Sequence, residues 1–333
     1  MKDRFQRQIE YLRVSVTQNC NLKCVYCKPD NDMAELDRKM AGICSKTSGD
    51  NDCTPLTSEE FEKVIRIMVD LGITRVRITG GEPLTRGDIC DIVERISAIP
   101  GLDDLSMTTN GISLNRFAKS LKQSGLRRLN ISLDSLQRER FRYITGGGNL
   151  DSVLKGIEKA LDAGLSPIKI NTVLVKGLND NEIDDFMSLA KDKPLEVRFI
   201  ELMPIGCFGE KNADKIVYNS GIIGSHPELM PVERVYSNHP AEYYSIEGYK
   251  GKIGFISPMS HKFCHFCNRV RLTCDGKIKP CLGDNGEVSI VDILRSNPDS
   301  LRDAIAKAIY DKPEGHSFGR VFNSVRNMSM IGG

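Results

Sequence analysis

Thr57-Ser58-Glu59-Glu60-Phe61 opens a stretch that runs on to Arg75-Val76-Arg77-Ile78-Thr79-Gly80-Gly81-Glu82-Pro83, and its reading decides the fold class. A threonine followed three residues later by a glutamate is a capping box, in which each side chain satisfies a backbone N–H left open at a helix start. Phe61, Val64, Ile65 and Met68 then share one helical face. Gly72 stands where that helix should end, since glycine accepts the left-handed backbone of a C-cap. Arg75–Thr79 alternates and is rich in β-branched residues, which reads as a strand.

The same unit recurs on both sides. Upstream, Tyr11-Leu12-Arg13-Val14-Ser15-Val16-Thr17 is a strand, separated from the helix by a polar loop at 28–56. Downstream, strands are expected at Leu105–Thr109, Arg128–Leu133, Ile168–Val175 and Leu195–Leu202. Helical stretches fall near 88–98, 114–124, 150–163 and 181–191, with Gly125 and Gly164 at further helix ends. A repeat of roughly 25–35 residues implies crossover connections and a parallel sheet. No nucleotide-binding G-x-G-x-x-G follows the first strand, so the expectation is an incomplete (β/α)6 TIM-type barrel rather than a doubly wound sheet. Barrel chemistry gathers at the C-terminal ends of the strands. Cys20, Gly80–Pro83, Asn110, Ser132, Asp134 and Met203 all fall there.

After about residue 206 the texture changes. Short strands are expected at 242–247 and 252–257, a hairpin around Asp275-Gly276, and helical stretches near 288–295 and 298–310. The predicted division is 1–205 for the partial barrel and 206–333 for a C-terminal α+β extension.

Hydrophobic residues make up 40% and charged residues 27%, which excludes a disordered chain. The formal charge of +2 gives no whole-molecule attraction to nucleic acid or membrane. No apolar run approaches the ~18 residues of a membrane span, and the charged start leads into no signal-like segment. The expected location is cytoplasmic, where thiols stay reduced. There, an odd 11 cysteines argue against a disulfide framework. Cys90 and Cys207 read as small core hydrophobes.

The other cysteines are grouped. Cys20, Cys24 and Cys27 form C-x3-C-x2-C on the loop leaving the first strand. Three thiolates can converge on a soft metal centre. Structural zinc normally takes four ligands, whereas an iron–sulfur cluster held by three would keep one iron open. The alternative is a zinc knuckle completed by Cys44 or Cys53. Cys264, Cys267 and Cys281 form C-x2-C-x13-C across the hairpin, with a zinc ribbon completed by Cys274 as the alternative. Arg269 and Arg271 lie two apart, so on a strand they share a face. Two guanidiniums beside an open iron suit a polyphosphate; a solvated charged face is the plainer reading. Arg13, Arg77 and Lys169 also lie on expected barrel strands, where a cation is rarely without a partner. That partner is either an anionic ligand or a carboxylate such as Glu201 or Asp134.

Cys20-Asn21-Leu22-Lys23-Cys24-Val25-Tyr26-Cys27 followed by Gly80-Gly81-Glu82-Pro83 resembles the signature of the radical S-adenosylmethionine (SAM) superfamily. Further stretches narrow the resemblance: Leu12-Arg13-Val14-Ser15-Val16-Thr17, Arg77-Ile78-Thr79-Gly80-Gly81-Glu82-Pro83-Leu84, Thr108-Thr109-Asn110-Gly111, Ser132-Leu133-Asp134 and Arg198-Phe199-Ile200-Glu201-Leu202-Met203. Phe263-Cys264-His265-Phe266-Cys267-Asn268-Arg269-Val270-Arg271-Leu272 and Gly332-Gly333 complete the ordered set. Together they resemble the GTP 3′,8-cyclase family of molybdenum cofactor biosynthesis. Departures are Lys28, where the family usually has Met, and Arg75, where Lys is frequent.

The resemblance implies two four-iron, four-sulfur (4Fe–4S) clusters. Cys20, Cys24 and Cys27 would hold the first, and Tyr26, Gly81, Ser132 and Met203 would contact SAM. Cys264, Cys267 and Cys281 would hold the second, whose open iron binds guanine. Arg13, Arg77, Thr108, Lys169, Arg269 and Arg271 would face GTP. It further implies a deoxyadenosyl radical that takes the ribose 3′ hydrogen, closure of C3′ onto C8, and a Gly332-Gly333 tail reaching the active site. Its partners would be an external electron donor and a downstream cyclic pyranopterin monophosphate synthase, with a homodimer among the admissible assemblies. Two competing readings are a radical SAM enzyme that modifies a peptide, and a zinc-stabilised nucleic-acid module. The near-neutral charge, the lack of tryptophan and the few aromatics speak against the second.

Overall fold

The computed structural model describes residues 1–27, 54–233, 240–261, 264–284 and 286–315, without the side chains of 206 and 207. The loop expected at 28–56 therefore lies mostly outside the described residues, with Cys44 and Cys53; so do Gly332 and Gly333.

Strand β1 (Tyr11–Ser15) is followed by helix α1 (Ser58–Asp70), β2 (Arg75–Thr79), α2 (Ile89–Ser97), β3 (Asp104–Thr109) and α3 (Leu114–Gln123). Next come β4 (Arg128–Ser132), α4 (Arg138–Thr145), α5 (Leu150–Asp162), β5 (Ile168–Leu174), α6 (Ile183–Asp192) and β6 (Leu195–Glu201). These six strands lie side by side in chain order and pair in parallel. The capping box forms: Thr57 N donates to Glu60 Oε2 at 2.9 Å and Glu60 N to Thr57 Oγ1 at 3.2 Å. Gly72 closes the helix unit with φ +103°.

Strand alternation sorts the two faces of this sheet. On β2, Val76 and Ile78 are fully buried in the core with Phe61, Ile65 and Met68 of α1, while Arg75 and Arg77 take the other face. Burying each such aliphatic side chain is worth about 1.5–3 kcal/mol, so Ile78→Ala should cost about 2–5 kcal/mol. Helices cover one face; the other is left to polar and charged side chains.

The rest of the chain is α7 (Gly206–Lys211), α8 (Asn219–Ser225), β7 (Met230–Pro231), β8 (Ala241–Ser245), β9 (Lys252–Ile256), β10 (Arg269–Leu272), β11 (Lys277–Lys279), β12 (Val288–Ser289), α9 (Val291–Ser296) and α10 (Leu301–Tyr310). The Asp275-Gly276 turn forms, with Gly276 at φ +72°, and β10 and β11 pair antiparallel. Unexpected from sequence is where these pieces go. Strand β9 joins β6 in parallel and β10 joins β1 in parallel, so the C-terminal third extends the same sheet at both edges. The sheet order is β12-β11-β10-β1-β2-β3-β4-β5-β6-β9-β8-β7. Helices α4, α7 and α8 were also not expected. Among the described residues, no helix is long and apolar enough to cross a membrane.

Candidate active site

The loop leaving β1 carries Cys20, Cys24 and Cys27, and two neighbours hold it. The C-terminal end of α4 accepts Lys23 N at Thr145 O (2.9 Å) and Val25 N at Ile144 O (2.9 Å). The turn after β2 donates from Gly81 N to Thr17 O (2.6 Å) and from Glu82 N to Asn19 O (2.7 Å). A Cβ on Gly81 would lie 2.2 Å from Asn19 O. The glycines are thus required by this close chain-on-chain contact. Glu82, 1% exposed, then ties in β3: it accepts from Thr109 Oγ1 at 2.7 Å and Asn110 N at 2.7 Å. Burial pushes its carboxyl to about 7 in spite of these donors.

The three cysteines line a cavity of about 260 Å³ together with Tyr26, Gly81, Ser132, Asp134 and Met203. Tyr26 donates to Asp134, which also accepts from Val173 N at 2.8 Å, and burial raises Asp134 to about 6. Burial, then the charges of Cys27, Asp134 and Cys20, pushes the Cys24 thiol far up. Three thiolates here repel one another, and a cationic centre among them would relieve that. The donor set fits a 4Fe–4S cluster.

A second cavity of about 270 Å³ adjoins the first: Thr108, Asn171, Ile200 and Met203 line both. Its walls are cationic. In the sheet register Arg13 lies between Arg271 and Arg77, and Tyr11 lies between Arg269 and Arg75. Arg128, Lys169, Arg198 and Lys312 also line the space, and no Asp or Glu does among the described residues. Some of these cations have partners. Arg128 pairs with Asp104 and Lys169 with Glu196, and Arg198 donates to Asn171 Oδ1 (2.9 Å) and Asn130 Oδ1 (2.6 Å). Glu201 and Asp134 are not these partners; both are taken up by loop contacts.

Arg13 is different. Among the described residues its buried Nε has no hydrogen-bond partner, and neither have Tyr11 Oη and Thr108 Oγ1 in the same cavity. Burial, then Arg271 and Arg77, holds the Arg13 guanidinium well below its usual range. Burial likewise brings Arg77 and Arg271 to about 10, and Lys169 to about 8. Buried unmatched charge and unmet donors are costly, so this cavity is built for an anionic, hydrogen-bonding ligand.

Cys264, Cys267 and Cys281 line this basic cavity too. Burial would raise Cys267, but Lys312 and Arg269 outweigh it and hold the thiol down. Lys312 Nζ donates to Arg269 O (2.9 Å) and Pro280 O (2.6 Å), bracing both sides of the cysteine hairpin. Arg7, paired with buried Asp3, reaches Cys264 O at 3.0 Å and Pro313 O at 2.6 Å. Cys274 is only 3% exposed and packs in the hydrophobic core, and it is not among the described residues lining the basic cavity.

Residues 14–190 match the family model of the Radical SAM superfamily, and residues 195–318 match that of Molybdenum Cofactor Synthesis C. A curated relative from Alkaliphilus oremlandii (strain OhILAs), named GTP 3′,8-cyclase, is 46% identical over 335 residues, covering 100% of both chains. Another of the same name, from Moorella thermoacetica, is 45% identical over 337 residues, again covering 100% of both. The chain belongs to the GTP 3′,8-cyclase family. Radical SAM membership brings with it a 4Fe–4S cluster and SAM. A solved structure of Streptococcus suis SuiB bound to S-adenosylmethionine shares the fold at a TM-score of 0.55 and 17% identity, covering 90% of this chain and 68% of that one. The peptide-modifying reading gains nothing from these family matches.

For this family member, the SAM-facing candidates Tyr26, Gly81, Ser132 and Met203 meet in the cysteine cavity, and Arg13, Arg77, Thr108, Lys169, Arg269 and Arg271 meet in the basic one. Sequence reasoning missed Tyr11, Arg128, Arg198 and Lys312. The alternation that put Arg75 and Arg77 on one face could have found Arg128, which pairs in register with Ser106 two strands from Arg13. Nothing local marks Lys312.

Proposed function

We propose that the protein converts GTP to (8S)-3′,8-cyclo-7,8-dihydroguanosine 5′-triphosphate, with SAM cleaved to methionine and 5′-deoxyadenosine, as the first step of molybdenum cofactor biosynthesis. The observation that carries this is the basic cavity: among the described residues its lining is free of carboxylates and holds three unmet buried donors, and it shares a wall with the cysteine cavity. A triphosphate brings about four negative charges, which such a cluster of cations can pair.

Cys20, Cys24 and Cys27 would hold the cluster that, when bound, supplies the electron for SAM cleavage. Tyr26, Gly81, Ser132 and Met203 hold SAM beside it. Arg13, Arg77, Thr108, Lys169, Arg269 and Arg271 bind GTP, and Cys264, Cys267 and Cys281 would hold a second 4Fe–4S cluster, which would supply an open iron for the guanine. The shared wall keeps the ribose within reach of the SAM side, so positioning rather than a proton-transferring side chain is the protein's main contribution. In this reading residues 1–205 are an incomplete barrel for SAM, and 206–333 complete the substrate end. An external reductant, a downstream pterin-forming synthase and a cytoplasmic setting belong to the same proposal.

The test is anaerobic turnover. Protein reconstituted with iron and sulfide is given dithionite, SAM and GTP, and products are chromatographed. 5′-Deoxyadenosine and a cyclised GTP are expected together, with the cyclised product lost in C264S/C267S/C281S. Deoxyadenosine with unchanged GTP, beside an intact second cluster, would refute the substrate.

A further inference from the structure

Tyr11 is 8% exposed, lines the basic cavity, and buries its Oη with no hydrogen-bond partner among the described residues. A buried tyrosine normally finds a partner for its O–H. Its surroundings say what kind of partner is missing. The Arg77 and Arg269 guanidiniums stand 5.4 Å and 6.0 Å from the ring centroid. Across the sheet, Tyr11 is in register with Arg269 on one side and Arg75 on the other, and Arg13, two residues on, is flanked by Arg271 and Arg77.

An acceptor that meets the phenol therefore sits in a strongly positive field, where an anion is favoured over a neutral carbonyl. Burial would raise the phenol's pKa, but Arg77, Arg13, Arg269 and Arg128 outweigh it and lower it. A more acidic O–H is a better donor to an anionic oxygen.

We propose that Tyr11 is a substrate-binding residue whose O–H donates to a phosphate oxygen of the nucleoside triphosphate. It thereby favours phosphorylated nucleotide over the bare nucleoside. The proposal rests on the GTP reading above and adds a contact outside the cationic set.

Y11F removes only the O–H and keeps the ring beneath the arginines. Anaerobic equilibrium binding of GTP and of guanosine to the reconstituted holoenzyme, with thermal melting, tests it. The expected result is GTP affinity down about tenfold, as for one charge-assisted hydrogen bond, with guanosine affinity unchanged. Without nucleotide the variant should melt no lower than the wild type, because the lost hydroxyl meets no described residue, while stabilisation by GTP shrinks. Equal GTP affinity in both proteins overturns the proposal. An equal loss for guanosine overturns it too, since the phenol would then read the base. A variant that unfolds or melts lower with unchanged binding assigns Tyr11 a structural role instead. Failure of the wild type itself to bind GTP would be a different result, defeating the substrate reading on which the proposal stands.

Discussion

The two cavities are built from the same strands and share four residues, yet their charge is opposite. The described lining of the cysteine cavity includes Glu82, Asp134 and Glu201 and no lysine or arginine; the basic cavity reverses this. Hydrogen bonding separates them further. Each carboxylate is already satisfied: Glu201 accepts from Met259 N (3.1 Å), Ser260 N (3.1 Å) and Ser260 Oγ (2.6 Å), and Glu82 and Asp134 each pin a loop. The carboxylates complete the protein's own structure, while Arg13 keeps a donor that no described residue meets. The carboxylates of the one cavity are met on folding, whereas buried donors of the other meet no described residue.

That contrast can be broken most directly at the cysteine end. C24A should abolish 5′-deoxyadenosine formation altogether while leaving GTP binding measurable; loss of both together would mean the cavities are not separable. Next, R13A should weaken GTP about a hundredfold, the upper range for a charged hydrogen bond. Because the folded chain alone gives Arg13 an unfavourable setting, its melting temperature without nucleotide should not fall; a clear fall would show that Arg13 is a structural residue.

A smaller effect concerns pH. Lys169 sits at about 8, below its ordinary value, chiefly through burial. It is a cation below that pH and neutral above it, so GTP binding should weaken as pH rises from 7 to 9, on the order of tenfold. K169R stays charged throughout, so its KM for GTP should be flat over the range. An unchanged slope would assign the titration to another group. Least of all, C274A should lower stability by about 1 kcal/mol through lost core packing and leave iron content untouched. Loss of one whole cluster's iron would restore Cys274 as a ligand.

The strands and the main helices were legible because alternation and 3.6-residue spacing are local. Arg75–Thr79 was read to the residue, and Thr57 announced its helix through Glu60. Helix α4 was not legible, since only Phe141, Ile144 and Thr145 of its eight residues are buried, too few for a clear stripe. It matters nonetheless, because its last turn holds the first cysteine loop. The cysteine triplets stood out by spacing, and the ordered motifs by resemblance. Tyr11 did not, because an orphan hydroxyl exists only relative to neighbours brought in from β2 and β10. The two parallel joins, β1 to β10 and β6 to β9, escaped for the same reason: no local pattern says which edge a distant strand will seek.

Those joins also bear on how the chain is made. Strand β1 leaves the ribosome among the first elements, but one of its two neighbours is β10, from the last quarter of the sequence. Until Arg271 arrives beside Arg13, β1 is an open edge able to pair with another nascent chain. Pairing over so long a separation is intrinsically slow. Translation that stops before β10 would thus release a sheet with a permanently open edge, and the expected fate of such a fragment is aggregation rather than a smaller working enzyme.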